Sequence, residues 1–106
     1  MALELTDSNF KDTAVETDKL VVIDFWAAWC GPCKMLTPII NELSEDNADK
    51  AIIGKVDVDN NPEVSQKYGI TNLPTILFLK KGEIVDKHIG LTSKGALQKK
   101  IDALLA

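Results

Sequence analysis

The chain has 106 residues, 45% hydrophobic and 26% charged, with a formal net charge of −4; this suits one compact domain over residues 1–106 and argues against disordered, collagen-like and repeat architectures. All 12 basic residues are lysine, so the planar guanidinium fork that reads phosphates and guanine edges is missing, and neither nucleic acid nor an anionic membrane surface is expected as a partner. The opening Met-Ala-Leu-Glu-Leu-Thr-Asp-Ser has no basic start and no apolar core, and no uncharged apolar run approaches the roughly 18 residues of a membrane span, so a cytoplasmic location is expected.

Residues 2–5 form a short strand candidate. A helix is predicted next, opened by Thr6, Asp7 or Ser8 as N-cap, with Phe10 and Ala14 on one face. Leu20 to Trp26 is a near-continuous apolar run rich in β-branched residues, the pattern of a strand covered on both faces. Residues 33 to about 48 read as a helix: Leu36, Ile39, Ile40 and Leu43 fall at i, i+3, i+4 and i+7, and Pro38 is expected to kink it. Ala51 to Val58 is a second apolar strand, and Asn60-Asn61-Pro62 turns into a short helix ending near Tyr68-Gly69. Thr75 to Leu79 is a third core strand, Lys81-Gly82 a turn, and Glu83 to Ile89 an edge strand. Thr92 or Ser93 caps a last helix with Leu97, Ile101, Leu104 and Leu105 on its buried stripe. Strands alternating with helices, then a hairpin, predict an α/β domain: a mixed sheet with helices on both faces.

Both cysteines fall at the junction of the central strand and the long helix. Residues three apart share a helix face, so Cys30 and Cys33 can bring their sulfurs together. Cys30 lies at the helix start, where unpaired N–H groups and the dipole favour a thiolate, and Cys33 lies one turn in, more buried. Pro32 is tolerated there because a first-turn N–H has no intrahelical partner. The expected pair is one exposed nucleophile and one resolving thiol, able to exchange with a disulfide on another protein. Zinc wants about four ligands, and the chain offers two cysteines and one distant histidine, His88; no metal is expected. A purely structural bridge across so short a loop would constrain the unfolded chain little.

Asp24 is a carboxylate in the middle of an apolar strand. Unpaired and buried, it costs several kcal/mol or raises its own pKa. Its flanking Ile23, Phe25 and Trp26 argue against an exposed face. The functional reading puts it beneath Cys33, positioned to take that thiol's proton, directly or through one water. Lys55, a second charge in an apolar strand, is either solvated on an open face or a neighbour that moderates Asp24.

Trp-Ala-Ala-Trp-Cys-Gly-Pro-Cys-Lys resembles the active-site signature of the thioredoxin family, which is itself a standard example of a cysteine acidified in a Cys-X-X-Cys motif. The resemblance runs over essentially the whole chain, through Asp24-Phe25-Trp26-Ala27, Pro38, Lys55-Val56-Asp57-Val58-Asp59, Tyr68-Gly69-Ile70, Pro74-Thr75, Gly82 and Gly90. It departs at Ala28 and at Thr71-Asn72-Leu73, both near the expected docking surface. It implies a thioredoxin fold, with a central sheet of about five strands flanked by four helices. It implies protein disulfide reduction with no bound cofactor, the reversible Cys30–Cys33 disulfide being the redox group. The implied partners are a flavin-containing thioredoxin reductase and disulfide-containing target proteins, with the chain a monomer. A cis Pro74 is implied, holding the Leu73 backbone beside the cysteines for an extended target segment to pair with. Trp29, Gly31, Pro32, Ile70, Pro74 and Gly90 would complete the docking surface, and Trp26 would pack beneath it. Competing readings are a net oxidase or isomerase, a glutathione-dependent glutaredoxin, and a binding subunit that uses the same surface without turnover.

Overall fold

A computed structural model describes residues 1–106. In chain order the elements are β1 (Leu3–Glu4), a π-helical segment (Lys11–Val15), β2 (Leu20–Trp26), α1 (Gly31–Asp46), β3 (Ala51–Asp57), α2 (Pro62–Lys67), β4 (Thr75–Lys80), β5 (Glu83–Ile89) and α3 (Lys94–Leu105). The strands make one sheet in the order β1-β3-β2-β4-β5. β1 and β2 run parallel to β3, while β4 runs antiparallel to both β2 and β5. This is the mixed five-stranded sheet with four helical segments that the resemblance implies.

β2 lies at the centre, and its apolar run is continuous because both faces are covered. Val21, Ile23 and Phe25 join Phe10, Ala14, Val56 and Val64 in one cluster, beneath the π-helical segment and α2. Leu20 and Val22 point the other way and pack with Leu36, Ile40 and Leu43 of α1 and with Leu97 and Ile101 of α3. Side chains alternate along a strand, so Asp24 and Trp26 share the α1 face with Leu20 and Val22.

Several boundaries and caps differ from the sequence pattern. The first helical segment is π-helical, closed by the Glu16 N–H donating to the Lys11 carbonyl five residues back. None of the three candidate caps takes that role: the N-cap is Phe10, without a side-chain cap bond. Thr6 instead closes the turn before the segment, its N–H donating to Asn9 Oδ1 at 2.7 Å and its Oγ1 accepting from the Asn9 N–H at 3.2 Å. α1 starts at Gly31, not residue 33, because Cys30 is its N-cap and Pro32 fits the first turn. It continues through Pro38 as one element to Asp46, where the buried Asn47 closes it and exchanges hydrogen bonds with Gln98 of α3. On α3, capped by Ser93, Leu97 and Ile101 are fully buried but Leu105 is 41% exposed. Eight residues beyond Leu97 amount to more than two full turns, and Leu105 rotates off the stripe that Leu104 still follows.

Asp7 has a task the sequence did not suggest: it caps α2 from across the molecule. Its carboxylate accepts from the Val64 N–H at 2.9 Å and the Glu63 N–H at 3.2 Å, and its own N–H donates to Asn61 Oδ1 at 3.0 Å. Asn61, the residue at the N-cap position, makes no side-chain cap bond itself. Asp7→Ala is therefore expected to destabilise the protein by about 1 kcal/mol, the usual worth of an N-cap. Urea unfolding should show a lower midpoint with an unchanged slope. An unchanged midpoint would show that α2 is held by packing alone.

Candidate active site

β2 ends at Trp26, and Ala27, Ala28 and Trp29 carry the chain to Cys30 at the mouth of α1. Cys30 has an extended backbone, φ −91° and ψ 107°, and its Sγ accepts a hydrogen bond from the Cys33 N–H at 3.2 Å. A side chain at this position receives the free N–H groups of the first turn, which favour negative charge on it. The helical spacing brings the two Cα atoms to 5.3 Å, and the cysteines form a disulfide. The pair is thus one covalent unit on the first turn of a helix, able to pass between dithiol and disulfide.

Both sulfur-bearing residues are more buried than the sequence suggests. Cys33 is 1% exposed, and Cys30, expected to be an exposed nucleophile, is only 5% exposed. They cluster with Ala27, and Trp26, Val58 and Leu73 pack against them. The order of accessibility is the expected one, but apolar neighbours screen even the outer cysteine. Gly31 and Pro32 lie exposed on the first turn.

Trp29 is 71% exposed, the largest exposure of any aromatic ring here, and its indole N–H donates to Asp59 Oδ2 at 2.9 Å. Asp59 was visible only as part of the Lys55–Asp59 motif; its hold on Trp29 had no sequence signal. Opposite, the Leu73–Pro74 peptide is cis, Pro74 is buried and Leu73 packs against the cysteine cluster. The Gly90 N–H donates to the Pro74 carbonyl at 2.9 Å, with Gly90 at φ 92°, a conformation that glycine adopts without a steric penalty. The structure thus brings Leu73 to the cysteines and Gly90 to Pro74. Ile70 is set apart: it packs against the cluster under α2 and borders an open groove of about 380 Å³ with Val58 and Thr71.

Asp24 is 2% exposed, and its Oδ1 has no hydrogen-bond partner in the protein. Burial pushes its carboxyl up from 3.8 to about 7, against the opposing pull of the Lys55 ammonium. Lys55 is the register partner of Asp24 on β3, half-buried, with its Nζ 5.9 Å from the centre of the Trp26 ring. Of the two alternatives for Lys55, the neighbour of Asp24 is the one found. The Trp26 indole nitrogen is buried and also lacks a partner. His88 stays on β5, its Nε2 3.2 Å from the Leu91 carbonyl, and no three His, Cys, Asp or Glu side chains converge as a metal site.

The thioredoxin family model matches residues 1–103. The chain is similar to a thioredoxin of Chlorobaculum thiosulfatiphilum, 48% identical over 93% of this chain and 92% of that one. It is 48% identical to thioredoxin 2 of Chlorobaculum tepidum over 93% and 91%. It is 50% identical to a thioredoxin of Rickettsia felis over 92% of each chain.

Proposed function

The chain belongs to the thioredoxin family, and from that premise we propose how its site works. It is a thiol–disulfide oxidoreductase that reduces protein disulfides, with the Cys30–Cys33 disulfide as its redox group. The observation that carries this reading is the bonded cysteine pair on the first turn of α1, with a backbone N–H aimed at Cys30 Sγ.

In the reduced protein, the Cys30 thiolate attacks one sulfur of a target disulfide. The target S–S bond breaks, one target thiolate leaves and takes a proton from solvent, and a mixed disulfide joins Cys30 to the target. Asp24 accepts the Cys33 proton, and Lys55 moderates the Asp24 charge. The Cys33 thiolate then attacks Cys30 Sγ, forming Cys30–Cys33 and releasing the second target thiolate. The target has gained two electrons, and the cysteine pair has lost two. A thioredoxin reductase restores the dithiol.

A target segment docks on Trp29, Gly31, Pro32, Pro74 and Gly90, with Ile70 at the rim, and pairs with the Leu73 backbone as an added strand. The working unit is a monomer, one domain over residues 1–106, acting in the cytoplasm in electron transport and redox homeostasis. No helix is long and apolar enough to cross a membrane.

The test is reduction of insulin disulfides with dithiothreitol or a thioredoxin reductase as electron source. Wild type should precipitate the insulin B chain rapidly, and the Cys30→Ser, Cys33→Ser double variant should do so no faster than the electron source alone. Wild type no faster than that background would sink the reading in favour of a binding role.

A further inference from the structure

Asp24 Oδ1 and Trp26 Nε1 are the two buried side-chain polar atoms left without a hydrogen-bond partner. One is an acceptor and the other a donor. They stand two residues apart on β2, hence on the same face, the one that α1 covers with Cys33. An unpaired buried polar atom costs about 1–3 kcal/mol, so a donor and an acceptor both left unpaired on one strand face call for a common partner. A single water between them would satisfy both, accepting from the indole N–H and donating to the carboxyl oxygen. The indole is held in place: its ring packs against Ala27, Cys30 and Cys33 on one side, and the Lys55 ammonium lies 5.9 Å from its centre.

We propose that the Trp26 indole N–H is a positioning group for the Asp24 carboxyl, fixing one water through which the Cys33 proton reaches it. In that step the Cys33 S–H bond breaks and its proton passes to the water. The water gives one of its own protons to Asp24 Oδ1, and Cys33 is left as the attacking thiolate. Trp26 donates a hydrogen bond throughout and exchanges no proton. The proposal rests on the reading of Asp24 as proton acceptor.

The other groups facing this spot have defined places. Lys55 is beside Asp24 on β3, and Glu4 on β1 stands in register with Lys55. Asp57, in register with Trp26, is engaged by the Asp59 N–H and the Asn60 amide. On β4 the neighbour of Asp24 is Ile76, which does not titrate.

The experiment follows the Trp26 indole ¹H–¹⁵N signal and the Asp24 carboxyl ¹³C signal of the reduced protein from pH 5 to 9. Trp29→Phe serves to assign the indole. Both signals should move with one midpoint, and the indole signal should be flat in Asp24→Asn. Lys55→Met should shift the midpoint but keep the two signals together. Trp26→Phe should raise the Asp24 midpoint, because the charged form loses support. It should also slow Cys33 attack about 3–10-fold at neutral pH, the worth of one hydrogen bond, with no further slowing in Asp24→Asn. A flat indole signal while Asp24 titrates would overturn the proposal, as would equal slowing by Trp26→Phe in both backgrounds, the mark of lost packing. If Asp24→Asn reacts at wild-type speed while the midpoints coincide, the proton-acceptor reading falls and the Trp26–Asp24 link stands. If Asp24→Asn is slow and the midpoints separate, the link falls and the reading stands.

Discussion

Cys30→Ser is expected to abolish disulfide reduction, whereas Cys33→Ser should still capture targets and then fail to release them. A serine hydroxyl is not ionised near neutral pH and does not attack a disulfide. Cys33, 1% exposed behind Cys30, cannot substitute for it. In Cys33→Ser the first exchange survives, because Cys30 keeps its place at the α1 N-cap. The intramolecular second attack is lost. Intramolecular groups act at effective concentrations of up to roughly 10⁵–10⁸ M, so release by micromolar free thiol should be slower by at least about 10³-fold. Non-reducing gels and peptide mass spectrometry should find the adduct on Cys30. A stable adduct on Cys33 in the Cys30→Ser variant would reverse the assignment.

Asp24→Asn should stabilise the protein near neutral pH and slow it. The folded-state pKa of about 7 lies well above the ordinary 3.8. Below pH 3.8 the carboxyl is protonated in both folded and unfolded chains, and nothing is lost. As pH rises toward 7 the unfolded chain ionises while the folded one holds its proton, and stability falls by about 1.4 kcal/mol per pH unit. The full loss, reached above the folded pKa, is on the order of 4 kcal/mol. Asparagine does not ionise, but it leaves a buried amide to satisfy and Lys55 without its counter-charge. A net gain of about 2 kcal/mol above pH 7 is expected, shrinking to nothing or reversing near pH 4. Resolution by Cys33 should slow about 10–100-fold, below the usual ~10²–10⁴ for a general base because water substitutes. Urea unfolding at several pH values and single-turnover reduction check both parts. A variant that is less stable at pH 7.5 and equally fast would make Asp24 a structural residue only.

Much of this was legible because it depends on local pattern. Leu20–Trp26 reads as a strand covered on both faces since a near-unbroken β-branched run has no other comfortable home, and the strand has those bounds. The cysteine pair was legible because three-residue spacing at a helix start dictates its own geometry. What was hidden depends on partners distant in sequence. Nothing near Asp7 says that it caps a helix at residue 62, and nothing near Trp29 names Asp59. Cys30 looked exposed because a helix start usually is. Its burial comes from Val58 and Leu73, brought in from other strands' ends. Leu105 looked buried because counting leucines ignores the drift of a 3.6-residue turn over eight positions.

β2 joins β4 in pairs such as Val21 with Leu79 and Phe25 with Thr75, and that ladder goes with Leu73 packing against the cysteines and Gly90 bonding to Pro74. Reactivity and selectivity therefore have different folding requirements. A chain that has formed only its first half already owns two thiols on one helical turn and can exchange with whatever it meets. The proposed docking surface, built on Leu73, Pro74 and Gly90, is absent until a contact of long sequence separation closes, the kind that makes folding slow. During refolding, thiol reactivity toward small reagents should return ahead of discrimination between protein targets. Cooperative folding is what keeps such an indiscriminate thiol species scarce at equilibrium.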